Sequence, residues 1–186
     1  MSCTNQKTRA MKDAIGPSLT DGSQPKSPQQ LFRLLDQLDI LQETTHHAPM
    51  FTVSQSKKLR TASKPGAHTK NLFLRNKKGV MWLVTCDEDS RLDLHTLSNY
   101  LGTGRLSFGS TERLMKFLGV VPGCVSPFSL INDSTKSVTF VMDRMLLNHE
   151  AIHLHPLNNS QTTSISIDDL FRFLLHIGHP AQYVTI

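Results

Sequence analysis

His68-Thr69-Lys70-Asn71-Leu72-Phe73-Leu74-Arg75-Asn76-Lys77-Lys78-Gly79-Val80-Met81-Trp82-Leu83-Val84-Thr85 is the stretch that settles the class of fold. Two strand-like runs, Asn71–Arg75 and Val80–Thr85, flank the polar segment Asn76–Gly79. A four-residue polar loop ending in glycine joins antiparallel strands well, so the spacing predicts a hairpin. Upstream, Pro65-Gly66 closes a helical run expected from Ser54 to about Arg60. Further back, Ser27-Pro28 suits a helix start, and Leu31, Leu34, Leu35 and Leu38 then share one face at helical spacing.

Downstream the periodicity changes again. Leu92 to Leu101 reads as a helix stopped by Gly102. Another is expected from Ser110, with Glu112 in its first turn and Gly119 beyond its end. Ser137–Asp143 and Ala151–His155 read as strands. Ser166 caps a last helix whose first turn carries Asp168 and Asp169, where carboxylates complement the helix dipole. That helix presents Leu170, Phe173, Leu174 and Ile177 and stops at Gly178, and Gln182–Ile186 follows as a short closing strand. Strands and helices mix without a regular βαβ rhythm. The expectation is one α+β domain over residues 27–186, with a mainly antiparallel or mixed central sheet packed with helices. Residues 1–26 are polar, with almost no apolar periodicity, and are expected to form a disordered tail.

Composition narrows the class of function. With 38% hydrophobic and 19% charged residues, the 186-residue chain is ordinary for a globular domain. No apolar run approaches the ~20 residues of a membrane span. The first residues are basic and rich in Ser and Thr but lack a hydrophobic run, so no secretion signal is expected, and Asp13 and Asp21 argue against an organelle presequence. Cys3, Cys86 and Cys124 are odd in number and widely spaced, which suits neither a disulfide framework nor a zinc site. A reducing cytoplasm is the expected location. The net charge of +5 permits a polyanionic partner. Lys57, Lys58, Arg60, Lys64, Lys70, Arg75, Lys77 and Lys78 form a basic strip. Composition alone favours reading it as a solvated face, and the functional alternative is a landing strip for phosphates.

The familiar catalytic motifs, a P-loop, GxGxxG, GxSxG or HExxH, do not occur. His46-His47 and His153-x-His155 suggest a metal, but no third ligand stands at a convincing spacing. Two other features carry more. Lys70 stands at the mouth of an apolar strand, where it either snorkels to water or holds a phosphate or ribose at a fixed point. Gly119-Val120-Val121-Pro122-Gly123-Cys124-Val125-Ser126-Pro127-Phe128 is a stiff Gly/Pro loop. It is either a structural turn or a wall of backbone N–H groups able to hold a carbonyl oxygen and its developing charge.

At these residues the sequence resembles the YbaK/prolyl-tRNA-synthetase-associated editing domain family, and within it the free-standing Ala-tRNA(Pro) deacylases of the ProXp-ala or PrdX group. The likeness runs in unbroken order over residues 28–186. It is carried by His47–Val53, His68–Leu74, Trp82–Val84, Gly104–Phe108, Leu118–Phe128, Ile131–Asp133, His155–Asn158, Thr162–Ser166 and Asp169–Phe173. The resemblance implies hydrolysis of the ester joining a small amino acid, alanine first, to the terminal adenosine of tRNA(Pro). Lys70 matches the family lysine that handles the terminal nucleotide. Gly123 opens the GxxxP loop Gly123–Pro127, and His155 matches the histidine before proline. Asn71, Cys124, Ser126 and Pro127 are the further implied substrate contacts. The reaction implied requires no metal and no organic cofactor. Implied partners are aminoacyl-tRNA, with prolyl-tRNA synthetase or the elongation machinery beside it, and no membrane.

Cys124 and Ser129 differ from the commonest family residues at their positions and bear on pocket size, which leaves Cys or Ser as alternative cargo. Two other classes stand beside the esterase. One is a non-catalytic tRNA- or synthetase-binding module; intact Lys70, Gly123 and His155 argue against it. The other is a thiol enzyme using Cys124, disfavoured because the cysteine lies inside a loop rather than at a helix start.

Overall fold

The computed structural model describes residues 17–49, 57 and 65–186. In chain order the elements are α1 (Pro28–Gln37), β1 (Glu43–His46), β2 (Ala67–Asn76), β3 (Met81–Asp87), α2 (Leu94–Tyr100), β4 (Leu106–Phe108), α3 (Thr111–Leu118), a 3-10 helix (Pro127–Asn132), β5 (Val138–Asp143), a second 3-10 helix (Arg144–Asn148), β6 (Ala151–Leu154), β7 (Gln161–Ser166), α4 (Ile167–His176) and β8 (Gln182–Val184). The strands form one eight-stranded sheet ordered β1-β7-β6-β2-β3-β5-β8, with β4 added to β2. The hairpin β2–β3 and the pairs β1–β7, β6–β7 and β2–β4 are antiparallel. The pairs β2–β6, β3–β5 and β5–β8 are parallel. The domain is α+β with a mixed sheet.

β3 runs through the middle, and residues 81–86 are all buried. Successive side chains point to opposite faces of a strand, so β3 feeds two cores. Met81 and Leu83 join the larger core, with Leu31 and Leu35 of α1, Leu114 and Leu118 of α3, Phe128, and Leu170 and Phe173 of α4. Phe128 meets Phe173 edge to face, ring centroids 5.4 Å apart, a geometry that suits the ring quadrupoles. Trp82 and Val84 turn the other way, into a smaller core with Leu97 of α2, Leu106 of β4 and Val184 of β8.

The helix ends follow their capping chemistry. Ser27 and Gln30 form a reciprocal capping box at α1. Asp93, Ser110 and Ser166 each accept from backbone N–H groups at the starts of α2, α3 and α4. One buried carboxylate organises the entry to β5. Asp133 accepts from the N–H groups of Ser137 (3.1 Å) and Val138 (2.7 Å) and from the Thr135 hydroxyl (3.0 Å). The backbone carbonyl of Asp133 is 3.1 Å from Nε2 of the buried His179.

Three strands escape the sequence patterns. β1 and β7, Glu-Thr-Thr-His and Gln-Thr-Thr-Ser-Ile-Ser, are too polar for an apolar alternation to stand out, and β4 is only three residues long. The helix expected from Ser54 to Arg60 lies, apart from Lys57, outside the described residues.

Part of the segment expected as a tail is anchored to the domain before residue 27. Leu19 is 5% exposed. Thr20 N–H donates to the Lys116 carbonyl (3.0 Å), and Lys26 N–H donates to Asn132 Oδ1 (2.8 Å). A single apolar side chain and a few backbone bonds leave no periodic signal, so composition reads this segment as tail. Residues 1–16 lie outside the described residues.

Replacing Leu19 with Ala separates the two situations. Emptying a buried leucine site costs about 2 kcal/mol or more, so urea denaturation should show the midpoint falling with an unchanged slope. A segment that contributes nothing to the fold would give an unaltered midpoint.

Candidate functional site

The sequence-derived candidates fall on two parts of the sheet. The first is the loop between α3 and the Pro127–Asn132 helix, which meets the connection between β6 and β7. Gly123 sits at φ +87°, a left-handed conformation that a β-branched residue adopts only under strain. The turn closes through Cys124 N–H to the Val121 carbonyl at 3.0 Å. That donor is therefore spent, and the proline positions have none, so the N–H groups of the half-buried Gly123 and Val125 are the candidates left for holding a carbonyl oxygen.

Ser126 is fully buried, and its hydroxyl donates to the backbone carbonyl of His155 at 2.6 Å. The Ser126 carbonyl accepts from Ser129 twice, from the N–H at 2.9 Å and from the hydroxyl at 2.6 Å. Buried Pro127 and Phe128 hold the far end of the loop in the larger core. The loop is thereby tied to the strand end that carries His155.

The His155 ring is positioned from its other side. Nδ1 lies 2.9 Å from the Gln161 carbonyl. A carbonyl only accepts, so Nδ1 carries the hydrogen and Nε2 keeps a lone pair. Burial pushes the imidazole below its ordinary value of 6.5; the bond to Gln161 opposes this and nearby His47 adds to it. The ring is neutral at pH 7. Gln161 is itself fixed, because Asn158 Nδ2 donates to its Oε1 (2.6 Å) while Asn158 Oδ1 accepts from Ser160 N–H (3.1 Å).

His47 stands beside this group with its ring centroid 6.2 Å from that of His155. Its Nε2 is 2.9 Å from the Thr162 hydroxyl and its Nδ1 is 2.9 Å from the Ala48 carbonyl. In the sequence His47 stood out only as a metal candidate beside His46, and Thr162 not at all. The available signal was positional, since both fall in stretches that carry the family likeness.

The second part is β2. Lys70 pairs across the hairpin with Cys86, and Asn71 pairs with Thr85. Strand alternation sends Lys70 and Asn71 to opposite faces of the sheet. The Lys70 ammonium donates to the Ser90 carbonyl. Asn71 Oδ1 accepts from the Thr85 hydroxyl at 2.7 Å. The two halves approach where β2 and β6 separate. Their last partners are His68 and His153, whose rings stack at 4.3 Å, and Lys70 and His155 each lie two residues beyond that point.

Among the described residues no three His, Cys, Asp or Glu side chains converge as a metal site. Neither buried thiol suits a nucleophile. Burial raises the Cys124 thiol above its ordinary value, only partly offset by the Asn159 backbone N–H. Burial likewise takes Cys86 to about 11, with Lys70 opposing the rise and Asp143 and Asp87 adding to it. A nucleophilic cysteine needs the opposite shift. The basic strip is also partly neutralised, because Lys57 pairs with Asp89 and Glu88.

Comparison with known proteins points one way. A family model described as the aminoacyl-tRNA editing domain matches residues 47–173. The chain is 38% identical over 159 residues to the prolyl-tRNA editing protein ProX of Acetoanaerobium sticklandii, spanning 85% of this chain and 96% of that one. It is 38% identical over 152 residues to prolyl-tRNA synthetase associated domain-containing protein 1 of Danio rerio, spanning 81% of this chain and 82% of the relative. A solved structure assigned as a candidate trans-editing enzyme for prolyl tRNA synthetase shares the fold, with a TM-score of 0.66 at 16% identity over 88% of this chain and 98% of that one. Among the described residues no helix is long and apolar enough to cross a membrane.

The state of the site histidine is directly measurable. His155 and the buried His179 both have their charged form disfavoured by burial. The unfolded chain therefore takes up protons below about pH 6.5 that the folded chain refuses, and stability falls as pH drops through that range. NMR titration should place the His155 ring resonances below 6.5, and the loss of unfolding free energy on acidification should shrink in His155→Gln. A His155 midpoint above 6.5 contradicts this account.

Proposed function

Because the chain belongs to the aminoacyl-tRNA editing domain family, we propose that it is a trans-editing deacylase that hydrolyses the aminoacyl ester of mischarged tRNA(Pro), with alanine as the amino acid removed. The observation that carries this reading is the bond from Ser126 to the His155 carbonyl. It ties the N–H-bearing loop to the strand end that carries the His155 imidazole, which supports a site for ester hydrolysis by water.

An aminoacyl ester is already activated, so positioning and stabilisation of the oxyanion matter more than a strong nucleophile. The carbonyl oxygen is held by N–H groups of the Gly123–Pro127 loop, and its charge develops against them as water adds. The C–O bond to the ribose then breaks, and the departing oxygen takes a proton, leaving free amino acid and a tRNA hydroxyl end. With Nδ1 committed to Gln161, His155 offers the Nε2 lone pair to orient water or a ribose hydroxyl. Lys70 holds the terminal nucleotide from β2, and Asn71, Cys124, Ser126 and Pro127 shape the surroundings of the ester. The partner is aminoacyl-tRNA in the cytoplasm, with prolyl-tRNA synthetase or the elongation machinery as the source of charged tRNA.

Selectivity follows from size. A pocket closed by a stiff loop rejects the larger proline ring through overpacking, about 1–3 kcal/mol or more. A missing methyl group costs only about 1 kcal/mol, so glycine leaks through where proline does not.

Purified protein offered Ala-, Cys-, Ser- and Pro-tRNA(Pro) should release alanine fastest and spare proline. An Ala-to-Pro rate ratio near one, or a clear preference for Cys, overturns the alanine assignment; release of none of the four overturns the hydrolase. Lys70→Ala should cut deacylation by at least about tenfold while the melting temperature barely moves, as a half-exposed cation adds little to stability. Binding of tRNA should also weaken steeply with salt through counterion release, and a salt-independent affinity would remove the basic strip from the contact.

A further inference from the structure

Among the described residues, the outer edge of β2 is paired at both ends and open between them. β6 pairs it only at Ala67 and His68. β4 takes it up from Leu74, with Gly109 N–H donating to the Phe73 carbonyl at 2.8 Å. No described strand covers that edge at residues 69–72. The orientation of the backbone there follows from its neighbours. The His68 carbonyl accepts from Glu88 on the β3 side, whereas that of Phe73 points outward to Gly109. In an antiparallel ladder these directions alternate, so the N–H and C=O of Asn71 face the open edge.

One end of this gap carries an unusual side chain. Phe108 lies opposite Leu74, hence on the same face of the sheet as Leu72 and Lys70. Phe108 is 62% exposed, whereas Leu106, two residues earlier on the same strand face, is 4% exposed. The backbone at this residue is held on both sides. Phe108 is locked by its pairing to Leu74, and the next residue packs so closely that a Cβ on Gly109 would sit 2.4 Å from the Phe73 ring. The fold thus anchors the backbone of an exposed aromatic residue. Lys70 lies four residues back from Leu74, about 13 Å along the strand. Exposed Arg105, Lys77 and Lys78 lie around the same β2–β4 corner.

An exposed ring on an anchored backbone, a cation on the same face, backbone groups that no described strand pairs between them and further cations at the rim match one kind of ligand. Single-stranded nucleic acid is held by stacking of bases on aromatic rings and by cations tracking its phosphates. We propose that Phe108 is a stacking platform for an unpaired base of the tRNA 3′ end, which lies along the open edge of β2 with Lys70 near the ester. This assignment rests on the hydrolase reading for its choice of ligand. It adds a substrate-positioning residue that touches no reacting atom.

The test uses an RNA acceptor hairpin with a single-stranded 3′ end in which each unpaired purine or pyrimidine in turn is replaced by 2-aminopurine, a fluorophore quenched by stacking. Wild-type protein should quench the probe at one position. Phe108→Leu, which keeps the apolar bulk but not the aromatic face, should abolish that quenching and weaken binding by about tenfold, with loss in KM exceeding loss in kcat. Phe108→Trp should restore both. Leu41→Ala, at an exposed apolar residue elsewhere, serves as control and should leave binding as it was. The proposal is overturned if Phe108→Leu binds and quenches as wild type does, or if Leu serves as well as Trp. It is also overturned if wild-type protein quenches no probe. Hydrolysis by wild type and Phe108→Leu alike would sink the stacking role and leave the hydrolase standing. Quenching without hydrolysis would do the reverse.

Discussion

The loop-and-histidine half of the candidate site hangs on one hydrogen bond, from the Ser126 hydroxyl to the His155 carbonyl. The two residues are 29 apart in sequence, on a loop from one end of the larger core and on a strand end from another. Ser126 is fully buried, so without this acceptor its hydroxyl has no water to turn to, and leaving it unsatisfied costs about 1–3 kcal/mol. The bond therefore fixes the separation of loop and imidazole more firmly than a surface contact could. From it follow the placement of the Gly123 turn on one side and the Gln161 clamp on the His155 ring on the other.

The site built around this bond is electrically quiet. His155 is neutral, Cys124 keeps its proton, and the loop contributes dipoles rather than charges. The charge that is present sits on β2, where Lys70 leans on the Ser90 carbonyl. Such a division suits a reaction whose substrate brings its own phosphates: cations hold the polyanion, and preorganised dipoles meet the charge that appears only at the reacting carbon. It also explains why adjacent residues can serve different ends. Lys70 and Asn71 differ by one position and, by strand alternation, face opposite sides of the sheet.

How much of this was legible in the sequence depended on the kind of signal. The hairpin around Asn76–Gly79, the Ser27, Ser110 and Ser166 caps and the stop at Gly119 are local, and each was readable because turn and cap chemistry acts within a few residues. Gly123, Ser126 and His155 were readable as members of an ordered set of motifs. What joins them was not, because Ser126 donates to a backbone carbonyl and any residue at 155 would supply one. β1 and β7 stayed hidden for a related reason: their threonines bond to each other, Thr44 to Thr163 at 2.8 Å, and a polar ladder has no hydrophobic alternation to betray it. The packing of Leu19 was invisible because one leucine makes no pattern.

The pairing of β1 with β7 carries a consequence for how the chain reaches this state. Thr44 and Thr163 are 119 residues apart, so β1 leaves the ribosome long before β7, its neighbour among the described strands, exists. Contacts of such sequence separation form late, after the loop-closure entropy has been met by the β2–β3 hairpin and the cores around it. An edge strand kept waiting is a hazard, because its open hydrogen-bonding groups invite other chains. Glu43-Thr44-Thr45-His46 is short, largely exposed and without a single aliphatic side chain. The polarity that conceals β1 from sequence patterns is what lets a nascent polypeptide carry it unpaired without aggregating.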